Sequence, residues 1–201
     1  ASQAITALEK YSVNIEKIRT NLSILEYDNT VMLFDIIECF RMYGLFFRMS
    51  EELTEYMAEL GTEGRLIKIQ YEEIMLNKNE SFEALIRDYQ KDCAKVERIV
   101  SKVKDLSKED LLDDEKILNL LGYDINAANL DEKIEPRGYG LLNNISKITK
   151  KDKETLIKEF SGVQSILAAS VQEITQLKGI SKFRALHISK ALKRIKNFLT
   201  S

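Results

Sequence analysis

An internal repeat near the C-terminus constrains the fold more than any other feature of the sequence. Each copy has two apolar residues three positions apart, an apolar residue at a turn, a hydroxyl residue, a lysine, and apolar residues eight and twelve positions after the turn. A shift of 32 residues superimposes Leu142 on Ile174, Ile145 on Leu177, Ile148 on Ile180, Thr149 on Ser181, Lys150 on Lys182, Leu156 on Ile188 and Phe160 on Leu192. Because neither copy could bury its apolar face alone, we expect two helical hairpins that pack on each other.

The second hairpin, residues 173–188, has the sequence of an anion-binding site. Gly179 would form a tight turn between two apolar-periodic runs, and Ser181 would cap the helix that follows. A helix N-terminus carries unpaired N–H donors and the positive end of the helix dipole, so it attracts anions such as nucleic-acid phosphates. The predicted phosphate clamp consists of Lys178, Gly179, Ile180, Ser181, Lys182 and Arg184.

The first hairpin has the same plan, but its turn contains no glycine. Glycine lets the backbone reach positive φ and approach a phosphate closely, so we expect the first hairpin to bind phosphate weakly or to serve mainly in packing. The predicted residues of this lesser clamp are Lys147, Thr149, Lys150 and Lys151. Together the two hairpins would form a compact tandem helix-hairpin-helix domain over residues 134–201.

The distribution of charge supports a polyanion partner, although the net charge of the chain is only −2. Residues 141–201 contain 12 Lys and Arg against 4 Asp and Glu, which gives +8, and residues 1–140 carry the remaining −10. A basic module joined to an acidic one is typical of proteins that contact nucleic acid. We therefore predict DNA as the partner, bound through its phosphates.

The rest of the chain is predicted to be an elongated helical bundle, a spine over residues 1–133. With a single proline and eight glycines, the composition favours long helices, and the whole chain is assigned to the all-α class. Apolar residues recur every three or four positions in segments 2–25, 31–60, 65–76 and 81–106, with a turn at Asn77–Asn79. Pro136 and the glycines beside it would form a semi-rigid boundary before the hairpins.

Local signals add detail to this arrangement. Ser107 and either Asp113 or Asp114 are expected to cap short helices, Ser170 to cap the second hairpin, and residues 165–169 to form a connector. The side chains expected to face the core include Phe34, Leu66, Ile69 and Cys93.

Several other chemistries are disfavoured by the sequence. Cys39 and Cys93 are expected to be free, buried thiols in a reducing cytoplasm. The apolar stretch 31–49 contains four charged residues, which indicates a core helix rather than a membrane span. His187 lacks partners for metal or triad chemistry and is expected on a helix surface or packed.

Because the sequence starts with alanine and not methionine, we expect this chain to be a segment of a longer protein.

The chain resembles the DNA integrity scanning protein family, bacterial diadenylate cyclases with a helical linker and a C-terminal tandem helix-hairpin-helix domain. The resemblance spans essentially all 201 residues. It is carried by Leu33-Phe34-Asp35, Glu59-Leu60-Gly61-Thr62-Glu63-Gly64-Arg65-Leu66, Glu135-Pro136-Arg137-Gly138-Tyr139, Leu167-Ala168-Ala169-Ser170 and Leu177-Lys178-Gly179-Ile180-Ser181. The family hairpin usually reads glycine, apolar residue, glycine, and here Ser181 stands in place of the second glycine.

The resemblance implies a full-length enzyme that condenses two ATP molecules into cyclic di-AMP, assembles as an octamer and is restrained when its C-terminal domain binds branched DNA such as junctions. The family's Asp-Gly-Ala and Arg-His-Arg motifs do not occur here. We therefore expect this chain to lack cyclase activity and to need no cofactor, with ATP and a divalent metal such as Mg²⁺ bound only by the cyclase domain that would precede it. The expected location is the cytoplasm, as the two free cysteines indicate.

Two other functional classes stay open. The acidic bundle could be a protein-interaction or oligomerisation scaffold, and the hairpins could belong to another DNA-repair protein. A nuclease would need clustered carboxylates to hold a metal, but Asp105, Asp110, Asp113, Asp114 and Glu115 lie at predicted helix starts, where acidic residues serve as caps and dipole partners.

Overall fold

The computed structural model describes residues 2–92, 95–124, 126 and 130–201, with the side chain of residue 63 excepted. Throughout this part of the chain the regular structure is helical, and strand pairing is limited to one isolated bridge between Met32 and Lys133. The predicted all-α class is therefore confirmed.

Three long helices form the spine: α1 (Ser2–Asp28), α2 (Leu33–Leu60) and α3 (Arg65–Tyr89), with a 3-10 turn at Gly61–Gly64 between α2 and α3. The helix α1 buries one stripe of residues spaced at helical intervals: Ile5, Leu8, Ile15 and Leu22. The centre of the spine is aromatic, because Phe40, Tyr43 and Phe47 of α2 pack around Phe82 of α3 with ring centroids 5.0 to 5.2 Å apart.

The turn predicted at Asn77–Asn79 is wrong, because α3 runs through it without interruption. Lys78 is buried there, and its Nζ donates to Glu16 Oε1 of α1 at 3.2 Å. Packing of the helix against α1 thus outweighs the weak turn preference of the two asparagines. The chain breaks instead after Tyr89, so the long fourth helix predicted over 81–106 is also wrong.

Some predicted core positions in the spine lie at its surface. Leu66 is 76% exposed and Ile69 is 61% exposed, since no helix in the described part of the chain covers this side of α3, and Phe34 is exposed in the first turn of α2. Cys39 is buried and free as predicted, and its burial raises the pKa of the thiol to about 11. The predictions for Cys93 fall outside the described residues.

Three short helices lie along the spine after the break: α4 (Val96–Lys104), α5 (Lys108–Leu112) and α6 (Asp114–Leu120). The predicted caps are confirmed. The Ser107 hydroxyl accepts from the Asp110 N–H at 3.0 Å, and the Asp113 carboxylate accepts from the Glu115 N–H at 3.0 Å. Most of the acidic residues in this region are therefore used to begin helices.

Five helices form the C-terminal unit: α7 (Tyr139–Leu142), α8 (Lys150–Phe160), α9 (Val163–Ala168), α10 (Val171–Thr175) and α11 (Lys182–Thr200). They share a core of their own, built from residues including Leu142, Leu156, Ile174, Ile188 and Leu192. The connector predicted at 165–169 is instead mostly the helix α9, because Val163, Ile166 and Leu167 face this core at helical spacing.

A buried joint fixes the C-terminal unit to the spine. The carboxylate of Asp88, in the last turn of α3, accepts hydrogen bonds from the backbone N–H groups of Gly138, Tyr139 and Gly140 at 2.9, 2.6 and 2.9 Å, so it caps the start of α7. The guanidinium of Arg137 donates to the carbonyl oxygens of Arg87 and Gln90 at the C-terminal end of α3, each at 2.8 Å. The segment predicted to be a semi-rigid boundary is therefore hydrogen-bonded to the end of α3 through both Asp88 and Arg137.

Charged groups crowd this joint from α1 as well. A Cβ atom on Gly140 would lie 2.6 Å from Nη2 of Arg19 and 3.0 Å from Oδ2 of Asp88, so any larger residue would displace these charged groups where α7 meets the two helices. Glu26 is also buried here. Burial, reinforced by the charge of Asp88, raises the pKa of the Glu26 carboxyl group, although Arg19 opposes the shift.

No helix in the described part of the chain has the length and apolar character needed to cross a bilayer. The apolar stretch 31–49 lies largely in α2, and its buried residues, including Ile36, Phe40 and Phe46, belong to the spine core.

Replacing Glu26 with Gln should change the pH dependence of stability. A carboxyl group whose pKa is raised by folding binds more protons in the folded chain, so its contribution to the wild-type free energy of unfolding falls as pH rises above the unfolded value of 4.5. The stability of E26Q relative to wild type should therefore increase between about pH 5 and about pH 8, by up to about 1.4 kcal/mol per pH unit.

Urea unfolding followed by circular dichroism at several pH values would measure this difference. The control is Glu9→Gln, an exposed position on the same helix. If E26Q and E9Q both track the wild-type pH profile, Glu26 does not titrate in the joint as described.

Candidate nucleic-acid interface

The turn and the helix cap predicted for the second hairpin are present in the structure. Gly179 has a φ of 90° in the turn between α10 and α11, and it is exposed, with no atom of the described residues beyond its two chain neighbours within 4 Å of where a Cβ would lie. The Ser181 hydroxyl caps α11 by accepting from the Arg184 N–H at 3.2 Å. Lys182 and Phe183 occupy the first two positions of α11, where backbone N–H groups have no partner within the helix.

The first hairpin has the same backbone form without a glycine. Lys147, which stands 32 positions before Gly179, adopts a φ of 57°. The Thr149 hydroxyl accepts from the Asp152 N–H at 3.1 Å, and the Asp152 carboxylate accepts from the Thr149 N–H at 3.3 Å, so α8 begins with a reciprocal cap. At the position equivalent to Gly179, Lys147 thus adopts a left-handed conformation that glycine usually adopts. The strength of phosphate binding by this hairpin stays a prediction.

One ion pair joins the two helix N-termini. Nη2 of Arg184, in the third position of α11, contacts Oδ1 of Asp152, in the third position of α8. These two residues are also 32 positions apart, so the pair links equivalent points of the repeat. Asp152 is only 2% exposed, and Arg184 supplies the countercharge that a buried carboxylate needs.

A second contact supports this arrangement. Nε2 of His187 lies 2.7 Å from the carbonyl oxygen of Ser146, in the turn of the first hairpin, and this distance fits a hydrogen bond donated by the ring. The first two turns of α11 are therefore tied to the first hairpin at both Asp152 and Ser146. His187 was expected either on a helix surface or packed, and this hydrogen bond gives it a packing role.

The predicted lysines lie around these two helix starts. Lys147, Lys150, Lys151, Lys178 and Lys182 are all exposed. Within the part of the chain that the structure describes, none of the five forms an ion pair. Their ammonium groups are therefore available to an external anion. Thr149 and Ser181 serve as caps, Gly179 is open to solvent and Ile180 is buried beneath the turn.

The structure separates Arg184 from the other predicted ligands. Its guanidinium is committed to Asp152, so its geometry suits holding the two hairpins together better than binding phosphate. Asp152 was not among the predicted residues. Two signals in the sequence could have identified it: the threonine three positions earlier, which is the signature of a capping box, and the 32-residue shift that aligns Asp152 with Arg184.

Two of the five acidic residues considered for a nuclease form ion pairs with nearby basic side chains. Asp114 pairs with Arg41, and Asp110 pairs with Lys116 and accepts from the Ser107 N–H, which lowers the pKa of Asp110. Among the described residues, no group of three or more His, Cys, Asp or Glu side chains is arranged to hold a metal ion.

Comparison with known proteins gives one family match. A family described as the DisA bacterial checkpoint controller linker region matches residues 1–130. The chain is 37% identical to the DNA integrity scanning protein DisA of Bacillus subtilis (strain 168) over 196 residues, which cover 97% of this chain and 54% of that protein.

Two further relatives carry the same name. The protein of Carboxydothermus hydrogenoformans is 35% identical over 198 residues, covering 98% of this chain and 56% of its own length. That of Clostridium perfringens (strain 13) is 36% identical over 196 residues, covering 98% and 55%. The chain therefore spans about half the length of the curated relatives it matches.

The Asp152–Arg184 pair should show strong energetic coupling. Arg184→Ala would leave a buried carboxylate without a countercharge, and we expect it to lower the free energy of unfolding by about 1–3 kcal/mol. A double-mutant cycle with Asp152→Ala should give a coupling energy of roughly 1–3 kcal/mol, measured by chemical denaturation. Arg194→Ala, at an exposed position of the same helix, is the control. Additive effects of the two substitutions would contradict the pairing.

Lys147→Gly should stabilise the chain despite the flexibility that glycine adds. A left-handed conformation costs a residue with a Cβ roughly 1–2 kcal/mol, whereas glycine costs about 0.5–1 kcal/mol in unfolded-state entropy. We expect a net gain of up to about 1 kcal/mol in thermal or urea unfolding. Lys158→Gly, inside α8, should instead lose about 1 kcal/mol. A loss of stability at both positions would show that the turn is not strained.

Proposed function

Because this chain belongs to the DisA family, we propose that it is the DNA-binding, regulatory C-terminal region of a diadenylate cyclase. In this proposal the two hairpins bind the phosphates of branched DNA without reading base sequence. The cyclase domain, with its ATP and Mg²⁺, would lie in another part of the protein, and the whole protein would assemble as an octamer that makes cyclic di-AMP under the control of DNA.

The observation that carries the proposal is the ion pair that joins the N-termini of α8 and α11. Asp152 and Arg184 hold them together, and each start is surrounded by exposed lysines. Each offers backbone N–H donors, a dipole end and full positive charges to one phosphate group. Two such clamps at a fixed separation can hold two sugar-phosphate backbones at once.

Preference for branched DNA follows from this fixed separation. Phosphate contacts position a protein on DNA but carry no sequence information, so discrimination must come from where the backbones run. At a junction or flap, strands meet at separations and angles that a straight duplex does not offer. Clamps that cannot move relative to each other therefore select DNA by shape.

The buried joint supports a regulatory role. DNA bound at the hairpins is connected to α3 through Asp88 and Arg137, and Gln164 of α9 donates to the carbonyl oxygens of Glu26 and Tyr27 at the end of α1. A displacement of the hairpins would thus act on two long helices of the spine. Because α1 is the first helix of this chain, it is the element nearest in sequence to any preceding catalytic domain.

A protein-interaction scaffold is the second candidate. The observation that favours it is the exposure of Leu66 and Ile69 on the spine, since apolar side chains of this kind commonly contact other proteins. This role is compatible with DNA binding because the two surfaces lie on different parts of the chain.

Reversing two charges at the second hairpin should abolish most DNA binding. The double variant Lys178→Glu/Lys182→Glu places repulsive charges at the helix start and leaves Asp152–Arg184 intact. We expect affinity for a four-way junction to fall by more than about tenfold, and the slope of log affinity against log salt to fall by about 2. Fluorescence anisotropy with labelled junction and duplex at two salt concentrations would measure both.

A matched control separates the local site from the change in net charge. Lys10→Glu/Lys17→Glu makes the same change in charge at two exposed positions of α1 and should bind nearly as the wild type does. Equal losses of affinity in both double variants would show that only the overall charge matters. Equal affinity of the wild type for junction and duplex would contradict the proposed preference for branched DNA.

A further inference from the structure

Phe183 is the most exposed large apolar side chain of the described residues, at 81%. It occupies the second position of α11, directly after Lys182 and close in sequence to the Gly179 turn. Leu186, one helical turn further on, is 41% exposed, and residues three apart share a helix face. A small apolar patch therefore projects from the tip of the second hairpin.

Positive charge surrounds this patch. Lys178 and Lys182 are exposed in the same hairpin, and Lys190 is exposed on the same face of α11. An aromatic ring within a cluster of cations matches a partner that is anionic along its backbone and flat and apolar elsewhere. Nucleic acid has both properties, because its bases can stack on aromatic side chains while its phosphates pair with lysines.

The two hairpins differ at this point. The residue 32 positions before Phe183 is Lys151, which is also exposed and also second in its helix. One tip therefore presents an ammonium group where the other presents a ring. A lysine suits a continuous backbone, whereas a ring suits a base that is not stacked on both sides.

We propose that Phe183 stacks on an unpaired or unstacked base at a branch point or strand end, while the first hairpin holds an adjacent backbone. This inference rests on the proposed DNA-binding function and adds a specific contact to it. Base flipping or melting is least costly where stacking is already interrupted, so the ring favours branched over continuous DNA.

Other occupants fit the patch less well. A second copy of the chain would bring Lys178, Lys182 and Lys190 against their own counterparts, and like charges oppose such a contact. Two side chains also provide far less apolar area than a stable protein interface buries. An anionic membrane surface would satisfy the charges, and the experiment includes it as a competing outcome.

The experiment uses the full chain and a four-way junction with 2-aminopurine, a fluorescent base, at the branch point. Stacking of the ring should change the 2-aminopurine fluorescence on wild-type binding. Phe183→Ser should abolish this change and weaken junction affinity about tenfold or more, with less effect on duplex affinity. Phe183→Tyr should retain both properties, and Phe183→Leu should lose the fluorescence change.

The control is Phe198→Ser, a 64% exposed phenylalanine near the other end of α11, which should behave as wild type. Wild-type fluorescence and affinity in Phe183→Ser would overturn the inference and leave the proposed function standing. Failure of the wild type to bind any DNA would overturn both. Loss of binding to phosphatidylglycerol vesicles in Phe183→Ser, with DNA affinity unchanged, would assign the ring to a membrane surface instead.

Discussion

The buried carboxylate of Asp88 is the interaction on which the arrangement of the chain depends. It accepts three backbone N–H groups at the start of α7 and lies beside Arg19 of α1. A buried carboxylate needs several such partners, and losing one of them would weaken the whole network. The spine and the C-terminal unit therefore share one polar network at their joint, which determines where the hairpins lie relative to the long helices.

The same principle operates a second time between the hairpins. Asp152 is buried where two helix N-termini meet, and Arg184 neutralises it. This pairing uses one arginine of the basic unit for structure and leaves the lysines of both tips exposed. The division fits the chemistry of the two side chains, because a planar guanidinium forms well-defined pairs at partly buried sites, whereas ammonium groups on flexible stems remain solvated.

Much of the fold and part of the candidate site could be predicted from the sequence. The hairpins, their caps at Thr149 and Ser181, and the helical class follow from local signals. The missed elements have a common cause. Asn77–Asn79 resembled a turn, but α3 continues because Lys78 packs against α1, and residues 165–169 resembled a connector, but Ile166 and Leu167 enter a core. Local preferences amount to a few tenths of a kcal/mol per residue, and packing overrides them.

By itself the sequence determined that the chain is helical, that it carries a duplicated hairpin, and that positive charge collects in that repeat, because periodicity, caps and charge are local properties. Only the tertiary structure decided which charges are available. Arg184 and Lys182 are two positions apart and look alike in sequence, yet one faces buried Asp152 and the other faces solvent. Which charge is neutralised depends on residues that are far apart in sequence and in contact only in the folded chain. The properties of one short segment do not reveal such a contact.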